Sequence, residues 1–280
     1  MKLQIEHTTT YRYSQPLLYT VQTLHLWPVN SASQTVESWD LRAPGPITQQ
    51  PDIEGNRVHS FSRVAKPDQA VRELRITACG VVSTWGVAQF TDTHNGPPPG
   101  LYRRPTALAE PHPRMALWAA QAVPPLAAAG VHGKAPSIPD LLALVNAVAD
   151  KVRYRKGQTG VHTTALEAFD WELGVCQDQA HVMVAVCRSM GLCARYVSGY
   201  FHEAQEPELA SHAWVDVCIN EAQRCWISLD VTNRCTTDER HVRLAAASDY
   251  AACLPVRGLR HGGGEEQMTM QLHTRVLEAS

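Results

Sequence analysis

Gly174-Val175-Cys176-Gln177-Asp178-Gln179-Ala180-His181 is the stretch on which the reading of this chain turns. The glycine supplies a turn, and Cys176 then opens an apolar run through Val182, Met183, Val186 and Cys187. That pattern predicts a helix from about Cys176 to Met190, stopped at Gly191, a residue type favoured just past a helix end. A cysteine in the first helical turn meets unsatisfied N–H groups and a partial positive charge. Both favour thiolate over thiol and make the sulfur reactive. The same N–H groups can hold an oxyanion beside an attacked carbonyl. His181 follows Cys176 by five positions, about 140° around the helix, so it reads as a core histidine and not as the thiol's partner. Asp178 reads as a complement to the helix dipole, and Gln177 as a candidate to polarise a carbonyl.

A nucleophilic thiol needs a base, and the base needs an orienting group. Ser211-His212-Ala213-Trp214-Val215-Asp216-Val217 puts a histidine at the head of an alternating strand. Ile227-Ser228-Leu229-Asp230-Val231-Thr232-Asn233 puts an aspartate at the end of the next one. If 211–219 and 223–230 pair around a turn near Asn220-Glu221-Ala222, His212 faces Asp230 directly. Cross-strand neighbours then lie about 5 Å apart at Cβ, within reach of a carboxylate–imidazole hydrogen bond. The candidate catalytic residues are therefore Cys176 as nucleophile, His212 as base and Asp230 as orienter. Trp214 reads as core, or as a shield against water. The loops 155–172 and 201–211 flank the site.

Before this region the pattern changes. Residues 2–12, 18–27, 36–42, 57–64 and 71–84 alternate with a period of two and are separated by turn residues such as Ala43-Pro44-Gly45-Pro46. They predict a β-sandwich-like module over residues 1–100, ending at Asn95-Gly96-Pro97-Pro98-Pro99-Gly100. Residues 101–280 form the second part. It begins with an Ala/Pro-rich linker over 101–137 holding one short helix near 113–122. A helix capped by Ser137 follows, with Leu141, Leu144, Val145 and Val148 on one face. Residues 266–277 read as a final strand, in the second part, that returns to one of the sheets. The fold class expected is α+β.

Bulk properties narrow the function classes. The 280 residues are 44% hydrophobic and 19% charged with a formal net charge of −2, enough apolar material for a core and no clustered basic face for nucleic acid. Lys151, Arg153, Arg155 and Lys156 alternate with apolar residues and read as one solvated face. Eight cysteines occur without a CxxC pair, so neither a disulfide framework nor a zinc site is expected. No segment reaches the roughly 20 apolar residues that span a bilayer. The expectation is a cytoplasmic protein with no membrane partner, no cofactor and no metal.

The three blocks Gly-Val-Cys-Gln-Asp at 174–178, Ser-His-Ala-Trp-Val at 211–215 and Asp-Val-Thr-Asn at 230–233 resemble the catalytic blocks of the bacterial transglutaminase-like superfamily. Ala194-Arg195-Tyr196-Val197-Ser198-Gly199-Tyr200 resembles its intervening strand, Thr163-Thr164-Ala165 with Gly157 its approach to the cysteine, and the first hundred residues its β-rich N-terminal region. The resemblance implies a papain-like core with a Cys-His-Asp triad, acting on amides of a protein or peptide substrate through a thioester. Hydrolysis by a cysteine peptidase or amidase is the expected outcome; transfer to an amine, as in a true transglutaminase, and a non-catalytic scaffold are the alternatives. The chain departs from the family pattern at Gln179, where an aromatic residue is common, at Val231, where proline is common, and at Ala247-Ser248, where many relatives have Gly-Arg.

Overall fold

The computed structural model describes residues 1–66, 70–92, 96–131, 134–204 and 211–277. In chain order, five strands come first: β1 (Lys2–Trp27), β2 (Gln34–Arg42), β3 (Ile47–Gln50), β4 (Arg57–Val64) and β5 (Val71–Thr84). A short β6 (Gln89–Thr91) leads to helices α1 (Pro113–Ala122), α2 (Pro124–Val131) and α3 (Ile138–Lys151). Next come β7 (Arg153–Tyr154), α4 (Ala165–Trp171), β8 (Leu173–Gly174) and α5 (Cys176–Ser189). The chain closes with β9 (Ala194–Phe201), β10 (His212–Asn220), β11 (Cys225–Asp230), β12 (Cys235–Thr236), β13 (His241–Ala247), β14 (Val256–Gly262) and β15 (Glu266–Val276). The fold is α+β, as the alternating segments predict. Among the described residues, no helix is long and apolar enough to cross a membrane.

The β-rich first part is one seven-stranded sheet ordered β2-β5-β1-β4-β3, with β14 and β15 also paired to β1. The segments expected at 2–12 and 18–27 are one 26-residue strand. Its first half pairs with β5 and β15, and its second half with β4 and β14. Residues 256–276, grouped by sequence with the second part, thus belong by hydrogen bonding to the first sheet. Conversely β6, from the first hundred residues, pairs with β11 of the second sheet. Local pattern shows a strand but not its partner, which explains both reassignments.

The second sheet runs β12-β11-β10-β9-β13. Strict alternation divides β10 into two faces. Ala213, Val215 and Val217 join Ile227 and Leu229 against the buried residues of α5, in a core that also takes Leu144, Val145 and Val148 from α3. His212, Trp214 and Asp216 point the other way. Ser137 caps α3 by accepting the Asp140 N–H, as its position predicts. The opposite face of the sheet carries a buried charged network centred on Asp216. Asp216 accepts from Arg195 Nε at 2.9 Å, Arg243 Nη1 at 2.8 Å, Arg243 Nη2 at 2.7 Å and Ser228 Oγ at 2.6 Å. Burial would raise the Asp216 carboxyl, but Arg243 and Arg195 outweigh it and hold it ionised.

Two amide side chains join the sheets. Gln34 accepts the Arg243 N–H at 2.8 Å and donates to the Arg243 carbonyl at 2.9 Å. Asn56 does the same at Ala246, at 2.8 and 3.0 Å. Each amide satisfies the backbone donor and acceptor that a neighbouring strand would otherwise take.

Candidate active site

Cys176 stands at the first position of α5, half-buried, with its Sγ 4.0 Å from the Ser211 carbonyl oxygen. The start of the helix is fixed by Asp178, whose Oδ2 accepts the Val175 N–H at 2.7 Å and the Thr159 hydroxyl at 2.6 Å. Asp178 therefore bonds N–H groups at the helix start, as expected. Burial raises its carboxyl despite those bonds. Gly174 is required for this approach: a Cβ there would lie 2.5 Å from the Asp178 Cβ. The strand pair β7–β8 and the Arg155 N–H to the Gly174 carbonyl (2.7 Å) brace the same turn. Gln177 sits partly exposed in the first turn. Of the flanking loops named from sequence, 155–172 is described, whereas residues 205–210 lie outside the described residues.

His212 begins β10 and donates from Nε2 to Asp230 Oδ2 at 2.7 Å. The hairpin register differs from the expected one. Val215 pairs with Leu229 and Val217 with Ile227, two residues away from a direct His212–Asp230 pairing. The turn runs longer than supposed, through 221–224 with Arg224 in the left-handed conformation (φ 50°), and the ladder shifts between Cys218 and Asn220. An even shift keeps every side chain on its face. His212 and Asp230 become diagonal neighbours, and the length of the imidazole closes the gap.

With Nε2 occupied by Asp230, the Nδ1 edge of His212 is the one available to the Cys176 thiol, which lies against this ring and helps raise its pKa. Burial alone would lower that pKa. The Asp230 carboxylate and then Cys176 outweigh burial and push it up to about 10. Burial would likewise raise the Asp230 carboxyl, but His212 and then His241 hold it far below the ordinary carboxylate range. The site therefore favours an imidazolium–carboxylate pair next to a sulfur at a helix N-terminus.

His181 is fully buried, accepts the Tyr250 N–H through Nε2 at 3.2 Å, and is kept neutral by burial, its pKa lowered to about 4. It is a core histidine, as its helical angle predicts. Trp214 is buried against both His212 and His241, with ring centroids 6.1 and 5.3 Å away. Gln179, one of the departures from the family pattern, donates to the Val152 carbonyl at 2.8 Å and accepts from Thr232 Oγ1 at 2.7 Å. It links α5 to the turn that follows Asp230.

One residue that the sequence reading passed over belongs to the site. His241, first in β13, donates from Nε2 to the same Asp230 Oδ2 at 2.9 Å. Nothing local marks it, since Asp238-Glu239-Arg240-His241 carries no motif; only the pairing of β13 with β9 in the same sheet reveals it. The donor atoms of His212, Asp230 and His241 lie within 4.8 Å of one another, close enough to share a metal ion. Each is already engaged in the hydrogen bonds converging on Asp230 Oδ2.

Residues 125–231 match the transglutaminase-like superfamily, and residues 3–83 match the bacterial transglutaminase-like N-terminal region. The chain belongs to the transglutaminase-like superfamily. Membership places it among cysteine-dependent enzymes. The superfamily match spans Cys176, His212 and Asp230 and stops ten residues short of His241. An uncharacterized protein of Mycobacterium tuberculosis strain H37Rv is 28% identical over 295 residues, covering 95% of this chain and 90% of the relative. An uncharacterized Mycobacterium leprae protein is 37% identical over 120 residues, 41% of this chain and 42% of its own. A solved structure of a candidate cysteine protease from Cytophaga hutchinsonii superposes with a TM-score of 0.74 at 20% identity, covering 100% of this chain and 92% of that one. At that identity the likeness establishes a shared fold along the whole chain.

Proposed function

We propose that the protein hydrolyses amide, peptide or isopeptide bonds of a protein or peptide substrate through a thioester on Cys176. The observation that carries this reading is the Asp230 hydrogen bond to His212 Nε2, which leaves Nδ1 for the thiol at the helix N-terminus. His212 Nδ1 takes the Sγ proton, giving a thiolate–imidazolium pair. The thiolate attacks the carbonyl carbon, and the Cys176 backbone N–H stabilises the oxyanion. Collapse breaks the C–N bond, and His212 hands its proton to the departing amine. A water then gives a proton to His212 and attacks the thioester. The C–S bond breaks, the acid leaves and the proton returns to sulfur. Asp230 keeps the imidazole in the required tautomer throughout, as a triad carboxylate does.

The test is competitive alkylation with iodoacetamide followed by peptide mass mapping. Cys176 should react fastest of the eight cysteines, and His212→Ala should remove its advantage. Incubation with a peptide amide, with and without a primary amine, then reads the acceptor from product mass: added water supports hydrolysis, and amine incorporation makes the enzyme a transferase instead. Equal reactivity of all accessible thiols, unaffected by His212→Ala, would leave a scaffold as the better description.

A further inference from the structure

Asp230 serves two histidines, and only one of them touches the thiol. Its Oδ2 accepts from His212 Nε2 (2.7 Å), His241 Nε2 (2.9 Å) and Asn233 Nδ2 (2.7 Å), while Oδ1 accepts the Asn233 backbone N–H (3.1 Å). The carboxylate is wholly buried. Resting on the reading of Cys176, His212 and Asp230 given above, we infer that His241 is a positioning residue: it aims the Asp230 carboxylate at His212 and so keeps the base in its working tautomer.

The argument is geometric. A carboxylate bonded on one side only can rotate about its Cα–Cβ and Cβ–Cγ bonds and take its oxygen away from His212. Asn233 holds it from the turn side, and His241 holds it from the head of β13. Between the two, Oδ2 keeps one direction open, towards His212. His241 is itself fixed at every edge. Its Nδ1, 3.1 Å from both the Asp238 nitrogen and Oδ1, accepts the Asp238 backbone N–H when the ring is neutral and donates to Oδ1 when it is protonated. Its ring packs edge-on to Phe201 at 4.8 Å and to Trp214 at 5.3 Å. These are the two side chains that also wall His212. A second imidazole held this firmly, 3% exposed at its side chain, serves no packing need that leucine could not meet.

The charges around His241 balance. It lies between the carboxylates of Asp230 and Asp238, with His212 across Asp230, and Arg240 closes on Asp238 at 2.6 Å. Asp238 is paired with a guanidinium, and hydrogen bonds to Asp230 and Asp238 raise the His241 pKa against its burial, so Nε2 carries the proton it donates to Asp230 whether the ring is neutral or charged. The strand that presents His241 is held from the first sheet, by Gln34 at Arg243 and by the Thr84 hydroxyl at the Glu239 carbonyl. The N-terminal region thereby gains a part in the site without touching the sulfur.

The experiment compares His241→Leu with His241→Gln, using the pH profile of Cys176 alkylation, with His212→Ala as reference and unfolding midpoints as a check on the fold. Glutamine places an amide N–H the same number of bonds from Cα as imidazole Nε2, so it can still donate to Asp230; leucine cannot. His241→Leu should slow Cys176 alkylation at pH 7 about tenfold, the scale of one hydrogen bond to a charged group. It should also move the acid limb of the profile, and His241→Gln should recover most of the rate. If His212→Ala slows alkylation while His241→Leu matches or exceeds the wild-type rate, the positioning role is wrong and the function reading stands. If leucine and glutamine slow it equally, the donor is not what matters, and the inference also fails. If His212→Ala itself changes nothing, both readings fall together.

Discussion

Asp230→Asn is the perturbation whose size the structure sets most directly. The substitution keeps volume and shape but offers an amide where His212, His241 and Asn233 all present donors. The raise of His212 from 6.5 to about 10 corresponds to roughly 5 kcal/mol at about 1.4 kcal/mol per pH unit. Asp230 supplies most of the favourable interaction and Cys176 the rest, so a loss of about 3 kcal/mol is expected, or ~100-fold in a rate that depends on the imidazolium. The sign follows from the shift. With Asp230 present, His212 stays protonated from acid up to about pH 10, so the thiolate–imidazolium pair can exist throughout the neutral range. With asparagine, only Cys176 still opposes burial, and a loss of about 3 kcal/mol lowers the pH at which His212 gives up its proton by about 2 units. The assay is the pH profile of Cys176 alkylation from pH 5 to 10. Asp230→Asn should be ~100-fold slower at pH 7 and approach the wild-type rate only where hydroxide ionises the thiol unaided. A variant that stays within threefold of wild type at pH 7, with an unshifted profile, would refute the view that Asp230 controls the base.

Two further outcomes follow from the buried polar groups. Asp216→Ala leaves the Arg243 guanidinium without its carboxylate, while Arg195 keeps Asp92 at 2.9 Å, so urea unfolding should show a loss of about 3 kcal/mol, the low end of the cost of stranding a buried charge; a loss below 1 kcal/mol would contradict the network. His181 has a folded pKa lowered from 6.5 to about 4, so its contribution is complete above pH 6.5 and disappears as pH falls towards 4, about 3 kcal/mol in all. His181→Gln keeps an acceptor for the Tyr250 N–H and cannot titrate, so stability measured by urea unfolding between pH 7 and 4.5 should fall less steeply than in wild type. Equal slopes would show that His181 is not held neutral.

The sequence made the sulfur and its helix legible because a glycine, a cysteine and an apolar run leave few alternatives for Gly174 to Met190. It made the His212–Asp230 partnership legible through alternation, even though the register shifts by two, because only an odd slip would have separated them. His241 stayed hidden because its relation to Asp230 exists only once β13 lies beside β9, a long-range pairing that local pattern does not encode. The same holds for β15, whose residues alternate like any strand but find their partner more than two hundred residues earlier, and β14, which does not alternate, pairs with the same distant strand. Gln34 and Asn56 carry no local mark of what they do. Their role depends on where the outer strand of the second sheet falls.

That outer strand has a consequence for how the folded chain behaves in company. β13 ends its sheet, and a bare sheet border is a template on which a foreign strand can add, the first step of many aggregation routes. Here the border is blunted by two amides from elsewhere in the same chain, which occupy the backbone groups of Arg243 and Ala246 without continuing a ladder. Side chains end the row where a strand would extend it. The first sheet therefore acts as the second sheet's intramolecular guard against self-association, and loss of Gln34 and Asn56 would show itself first as precipitation on storage.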